Sequence, residues 1–297
     1  MAHFYLALPS NSSMKYYPSN TAAHFTTKLE NGISLSGDWE VGLIEIHYPH
    51  TWNNITSDDC EFIYWQESKK YSDGLHWPGD QKTIQLPTGY YENMHDIVYA
   101  VNTNIQEFAV EHKLDKYSHF KYDTITKTLK GEINLGAGVR FSTALCFILG
   151  IDESQNPIVN HNFGKYDAEE NEEYYKEHYE EFNKVWDEVP DVEWESEYIG
   201  DINPAFSSIH VYCNILSHVP VGDTTAPLLR IVHIEGKNGD NVHIMYENAV
   251  YVPLQQKSFD SIEIDIRGDT GNAIPFEYGK SFVLLHFRQC KKSHLIQ

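Results

Sequence analysis

Residues 262–267 read Ile-Glu-Ile-Asp-Ile-Arg, so isoleucine alternates with a charged residue at every step. Successive side chains of a β-strand point to opposite faces, and this alternation therefore predicts a strand with one buried face and one wet face. Turn residues follow at 269–272, Asp-Thr-Gly-Asn, and residues 282–285, Phe-Val-Leu-Leu, predict a strand that is apolar on both faces. Neighbouring strands of these two kinds are typical of a two-layer sandwich.

Strand-like stretches separated by turn residues recur through most of the chain. Further strands are predicted at His24–Leu29, Trp39–Tyr48, Glu61–Trp65, Thr83–Leu86, His119–Tyr122, Thr128–Ile133, Ile209–Cys213, Leu228–Ile234 and Val242–Tyr246. Within Trp39–Tyr48 the apolar residues change from odd to even positions, which indicates either a β-bulge or a strand covered on both sides. Many strands and few long helices favour an all-β sandwich or barrel with helical insertions.

Two helices are predicted between these strands. The first spans about Asn93–His112, where Ile97, Val101, Ile105 and Phe108 recur at helical spacing. The second is short, with Ser142 as its N-cap and Gly150 at its C-terminal end.

A strongly acidic segment predicts a third helix. Fifteen acidic residues and only two lysines lie between Asp167 and Asp201. By charge alone this segment is compatible with a disordered insertion. The apolar residues instead favour an ordered amphipathic helix, because they form one stripe. The stripe consists of Tyr175, Tyr179, Phe182, Trp186 and Val189. We therefore expect an acidic helical insertion at residues 155–205.

Composition places the chain among ordinary globular proteins. Its 297 residues are 41% hydrophobic and 22% charged, which excludes wholesale disorder and allows one elaborate domain or two modest ones. The sequence has neither an apolar run of membrane-spanning length nor a signal-like start, so we expect no membrane span and no secretion through a signal peptide. Four widely separated cysteines predict reduced core thiols of an intracellular protein.

The net charge of −21 bears on the possible partners. Neither the acidic segment nor the remainder offers the basic stripe that contacts to phosphates require. We therefore expect no direct binding to nucleic acid.

Motifs of common enzymes are missing from the sequence. It lacks the phosphate-binding, dinucleotide-binding, serine-hydrolase and zinc-protease signatures. Their absence removes the commonest enzyme classes without excluding an enzyme, and no catalytic, cofactor-binding or metal-binding residue is assigned.

Histidines and carboxylates leave alternatives open. Among 16 histidines, His47 and His50 lie at one strand end, and His210 and His218 flank another strand. Glu263 and Asp265 share the wet face of one strand and are a candidate site for sugar or calcium. The clustered glutamates in 169–181 are a candidate for weak cation binding. Scattered surface histidines and a solvated strand face explain the same residues without any ligand.

Several fragments at both ends of the chain resemble the single jelly-roll penton, or minor capsid, proteins of Polinton/Maverick-type elements. At the amino end these are residues 8–13 (Leu-Pro-Ser-Asn-Ser-Ser), 17–21 (Tyr-Pro-Ser-Asn-Thr) and 35–43 (Leu-Ser-Gly-Asp-Trp-Glu-Val-Gly-Leu). Towards the other end they are residues 221–223 (Val-Gly-Asp), 227–230 (Pro-Leu-Leu-Arg) and 258–266 (Ser-Phe-Asp-Ser-Ile-Glu-Ile-Asp-Ile). Residues 167–201 carry no comparable family feature.

The resemblance implies a single jelly-roll β-sandwich over residues 1–297, with the acidic insertion at 155–205 inside it. It implies a structural capsid protein that forms homopentameric vertices of an icosahedral virion, beside a double jelly-roll major capsid protein, with no catalysis and no cofactor. One alternative is a jelly-roll module that binds a glycan or receptor through aromatic residues and carboxylates near loops such as Tyr71–Pro78. The other is a metal-dependent jelly-roll enzyme built on His47, His50 and nearby carboxylates.

Overall fold

The fold was analysed in a computed structural model, which describes residues 2–56, 60–66, 80–114, 116–134, 136–160, 191–202 and 206–290. The chain divides into two compact units. The first comprises Met1–Asn53 and Ala205–Gln297, and the second comprises Asn54–Pro204. The second unit is therefore an insertion between two strands of the first.

The first unit contains two large antiparallel sheets, one of five strands and one of four. One has the order β1-β18-β3-β15, and the other has the order β14-β11-β17-β2. Their bounds are β1 His3–Pro9, β2 His24–Ser34, β3 Trp39–Pro49, β11 Ser208–Cys213, β14 Leu228–His233, β15 Asn241–Met245, β17 Ser258–Gly268 and β18 Phe282–Gln289. Short strand β16, Tyr251–Pro253, pairs with β3 on the same side as β15, and β12 (Val219–Val221) pairs with β13 (Thr224–Ala226).

This strand order is that of a jelly roll. Named B to I in chain order, the eight strands form one sheet with the order B-I-D-G and a second with the order C-H-E-F. Two Greek keys folded onto each other produce this arrangement. The predicted all-β fold with helical insertions, and the jelly roll within it, are confirmed.

The inward faces of the two sheets share one core. The three isoleucines of the β17 alternation are fully buried, as are the inward residues of β18. These residues are Ile262, Ile264, Ile266, Val283, Leu285 and Phe287. Burial of each such side chain contributes about 1.5–3 kcal/mol.

Strand β3 contains a bulge at Ile44. The inward residues are odd-numbered up to Leu43 and even-numbered from Ile46 onward. On β18, Leu284 pairs with Glu45 and the next residue pairs with Leu43, so Ile44 has no pairing partner on that strand. Of the two explanations for the change of phase along β3, the bulge is the one found.

The second unit has its own sheets, helices and core. One sheet has the order β5-β4-β8-β9, and the other has the order β10-β7-β6. Their bounds are β4 Glu61–Gln66, β5 Asp80–Gln85, β6 His119–Asp123, β7 Thr128–Ile133, β8 Ala137–Phe141, β9 Ile158–Val159 and β10 Val192–Glu195. A separate apolar cluster lies within this unit, so it does not depend on the jelly-roll core for burial.

Both helices predicted within the described residues are present in the second unit. Helix α1 spans Met94–Glu111, and the Asn93 side chain caps it by accepting a hydrogen bond from the Asp96 amide at 3.2 Å. Helix α2 spans Thr143–Leu149. Ser142 caps its N-terminus, and Gly150 ends it in the left-handed conformation with φ of 74°, as predicted.

All eleven predicted strands are found, with ends shifted by a few residues. Four of them lie in the second unit and not in the jelly roll, because that unit builds sheets of its own. Strands β1, β8, β9, β10, β12, β13 and β16 were not predicted. Most of these are too short to show an alternating pattern.

The domain description given above stays a prediction. The predicted acidic helix at 167–189 lies outside the described residues, and strand β10 follows it within the 155–205 segment. The described fold places the start of the inserted unit at Asn54.

None of the four cysteines, all of which are described, forms a disulfide bond. Cys60, Cys146 and Cys213 are buried, and Cys290 is half-buried. Burial raises the pKa of the Cys213 thiol to about 12 and that of Cys146 to about 11, so both are inert at neutral pH. Within the described residues, no helix has the length and apolar character needed to span a membrane.

Replacing Ile264 by alanine should lower the free energy of unfolding by about 2–5 kcal/mol, because it opens a cavity between the two sheets. The matched control is Glu263→Ala on the wet face of the same strand, for which we expect a change within about 0.5 kcal/mol. Denaturant titration followed by fluorescence measures both. Equal effects of the two substitutions would contradict the buried position of Ile264.

Candidate functional site

The outer face of sheet β1-β18-β3-β15 carries two histidine clusters. The bulge at Ile44 is the local cause of the first, because it turns Glu45 and His47 outward after the inward residues change phase. His243 of β15 lies directly opposite His47 of β3 in the antiparallel register. Three potential metal ligands thus meet on two adjacent strands.

Glu45 stands at the centre of this first cluster. Its Oε1 lies 2.7 Å from His47 Nε2 and 3.0 Å from His243 Nε2. An ionised carboxylate only accepts hydrogen bonds, so both imidazoles present a protonated Nε2 to it. The hydrogen bond from His47 is the main reason that the pKa of Glu45 is held below its ordinary value, with the nearby His243 adding to the effect against a cost of burial.

Ring packing fixes the orientation of His47. Its ring stacks on His243 with centroids 4.3 Å apart and planes 24° apart. On the other side Phe282, its register partner on β18, meets it edge-on at 5.2 Å. The cluster is therefore held by neighbouring strands and not by a loop.

The second cluster surrounds His286 of β18. His286 Nδ1 lies 2.7 Å from the Tyr251 hydroxyl, and its Nε2 lies 3.3 Å from His3 Nδ1. Tyr5 stacks on its ring at 4.6 Å. The guanidinium of Arg288 lies 3.3 Å from the centre of the Tyr251 ring.

Burial and neighbouring charge act together on His286. Burial is the largest cause that lowers its pKa, and the His3 and Arg288 charges lower it further. Glu40 lies on the same face and accepts a 2.5 Å hydrogen bond from Arg288 Nε. The neutral form of His286 is therefore the one that the folded sheet favours.

His50 does not join His47, although the sequence places them three residues apart. Its ring is buried, stacks on Trp52 at 4.0 Å, and lies with Nδ1 3.0 Å from the Glu235 carbonyl oxygen. The potential ligands that lie beside His47 are Glu45 and His243 instead. The predicted His47–His50 pairing is thus replaced by a cluster across two strands.

The other candidates from the sequence form no larger ligand set among the described residues. His210 contacts Ser208 and Tyr212 on its own strand at 3.3 Å and 3.4 Å. Asp265 is bound by Arg267 at 2.7 Å, as expected for a solvated strand face. The loop 71–78 and the glutamates in 169–181 lie outside the described residues.

Sequence reasoning invoked carboxylates near His47 without naming Glu45, and it missed His243. A signal for Glu45 was present, because residues two apart in a strand share a face, and His47 had already been singled out. No local signal connects His243 with His47. Their proximity follows from the pairing of β3 with β15, which the sequence does not reveal.

No protein-family model matches this chain, and neither does any curated protein. Among solved structures, the chain is similar to the crystal structure of a selenomethionine-labelled mavirus penton protein. The two share 10% sequence identity and superpose with a TM-score of 0.49, over 98% of this chain and 100% of that chain. The jelly-roll assignment itself rests on the strand order of the first unit.

The first unit should lose stability as the pH falls below about 6.5, the ordinary pKa of an unfolded histidine. His286 has a lowered pKa when folded, so the unfolded chain binds more protons in this range, and stability is lost as the pH drops towards the folded-state value. The groups that face His286 are His3, Tyr5, Tyr251 and Arg288 with its partner Glu40.

The measurement is the melting temperature from about pH 7 to about pH 5 in the wild type and in His286→Gln. The melting temperature of the variant should fall less than that of the wild type over this pH range. All other histidines are common to both proteins, so the difference measures the contribution of His286. Parallel curves would show that His286 does not contribute to the acid sensitivity.

Proposed function

We propose that this protein is a structural capsid protein of the penton type, which assembles with copies of itself into five-membered rings at the vertices of an icosahedral shell. A double jelly-roll major capsid protein is the proposed neighbour in that shell, and the virion is the proposed location. The jelly-roll fold alone does not determine this function, because viral capsid proteins, lectins and cupins all have that fold.

One observation carries the proposal: all the fragments that resemble Polinton-type penton proteins fall in the jelly-roll unit. Residues 8–13 end β1, residues 35–43 lead into β3, and residues 227–230 begin β14. Residues 258–266 make up most of β17, the strand that supplies three core isoleucines. The fragments thus lie on the framework that the resemblance implies, and none lies in the inserted unit.

The edges of the jelly roll suit association into a ring. Consecutive strands β1 and β2 are the edges of their two sheets, and consecutive strands β14 and β15 are the opposite edges. A ring requires one side of each copy to bind the opposite side of the next copy. The two sides are therefore the proposed contact surfaces.

Both of these sides expose apolar side chains. On the β1–β2 side these are Tyr5, Met14 and Tyr16, and on the β14–β15 side they are Ile231, Met245 and Val250. Aromatic residues and methionine are enriched where assembled surfaces meet. Exposed apolar residues on both sides match what a head-to-tail ring needs.

Purified protein should form five-membered rings, visible as a single mass class by mass photometry and as rings by negative-stain imaging. Tyr16→Asp and Met245→Asp each place a charge on one of the two sides and should each give monomers. The control is Ile125→Asp, at a residue of the inserted unit that is 91% exposed, and it should leave the rings intact.

Mixing the two ring-deficient variants distinguishes a ring from a symmetric dimer. Each variant retains one intact side, so the mixture should form heterodimers and no rings. A wild-type protein that stays monomeric at high concentration would overturn the proposal. Self-association that both variants leave unchanged would overturn the assignment of the contact sides.

Self-association should increase with ionic strength. Each copy carries a net charge of −21, so copies repel one another at low salt, and screening removes this repulsion. The fraction of rings by analytical ultracentrifugation should rise between about 0.05 M and about 0.5 M sodium chloride. A fraction that falls over this range would indicate that ion pairs dominate the contact.

A further inference from the structure

The Glu45, His47 and His243 side chains form a donor set for a transition metal. Two imidazole nitrogens and one carboxylate oxygen converge, with all three ligand atoms within 4.8 Å of one another. Imidazole suits zinc, copper, nickel and iron, whereas calcium and magnesium prefer sets made of oxygen alone. The composition of the cluster therefore selects against the alkaline-earth ions.

The spacing of the donors is close to what such an ion requires. A tetrahedral zinc ion with bonds of about 2.0–2.1 Å holds neighbouring ligand atoms about 3.3 Å apart. The carboxylate oxygen lies 2.7 Å and 3.0 Å from the two nitrogens, separations that reflect hydrogen bonds. Moving the side chains apart by a few tenths of an ångström converts these hydrogen bonds into a coordination site, provided that each imidazole carries its one remaining proton on Nδ1 and leaves Nε2 free for the ion.

The surroundings preorganise two of the ligands. Glu45 and His47 lie on one strand beyond a bulge, and His47 is packed between Phe282 and His243. The Glu45 side chain is only 19% exposed. A ligand set on paired strands loses little conformational freedom when it binds an ion.

The third ligand opens the site to solvent. The His243 side chain is 46% exposed, so a bound ion keeps a free coordination position on that side. Three protein ligands with an open fourth position are the arrangement in which zinc binds water or an external donor. A donor from outside the chain can thus complete the site.

We propose that Glu45, His47 and His243 form a mononuclear binding site for a divalent transition metal of the zinc class, on the outer face of the β1-β18-β3-β15 sheet. The site belongs to the single chain and does not rest on the proposed capsid function.

The test uses the full chain, freed of metal by a chelator and titrated with Zn²⁺ by calorimetry and with Co²⁺ by visible absorption. Wild-type protein should bind Zn²⁺ at this site and show the ligand-field bands of Co²⁺ bound to nitrogen and oxygen donors. His243→Asn and Glu45→Gln should weaken the binding by more than about 100-fold, since direct ligands matter more than the groups that orient them.

Two control variants each remove a histidine from a pair of potential ligands that lies elsewhere and has no third member. His24→Asn removes a histidine that faces Asp265 at 3.7 Å on the other sheet, and His3→Asn removes one from the pair with His286 on the same face. Both should bind one ion at the proposed site with wild-type affinity. Melting curves of all variants in chelator verify that the fold is retained, and Zn²⁺ should raise the melting temperature of the wild type but not of His243→Asn.

Binding that survives in His243→Asn, or that His3→Asn abolishes equally, would overturn the proposed site. Displacement of Zn²⁺ by an equal concentration of Ca²⁺ would overturn the assignment of the site to transition metals. The titration counts ions per chain, so its outcome is independent of whether the chain forms rings.

Discussion

Burial of the inward faces of β17 and β18 is the interaction on which the rest of the jelly roll depends. These two consecutive strands lie inside opposite sheets, and each is paired on both sides. The three isoleucines of β17 and the inward side chains of β18 are fully buried in one core. With these faces packed together, β18 pairs with β1 and β3 in one sheet, and β17 pairs with β2 and β11 in the other.

The bulge in β3 determines both which of its side chains enter the core and which lie on the outer face. A strand without the extra residue would keep one phase along its length, and either its core residues or its polar residues would then face the wrong side. Ile44 is the extra residue after which even-numbered side chains face inward. The second half of β3 therefore buries Ile46, while Glu45 and His47 face outward. The same residue thus preserves the core and places two of the three ligand atoms.

The inserted unit shows how a jelly roll can be enlarged without disturbing its core. It enters after β3 and returns before β11, and it buries its own apolar cluster. Helix α1 contributes a buried stripe to that cluster, including Ile97, Val101 and Ile105. With this separate core in place, the eight jelly-roll strands have the orders B-I-D-G and C-H-E-F.

The sequence by itself determined where most strands lie and the two described helices with their caps, since alternation and capping residues are local properties. Only the tertiary structure decided which strands belong to the jelly roll and which to the inserted unit, because sheet pairing joins residues that are far apart in the chain. The same holds for the histidine clusters. His47 was visible as a candidate, but its partners Glu45 and His243 became ligands only through a bulge and a strand pairing, and neither leaves a sufficient trace in the local sequence.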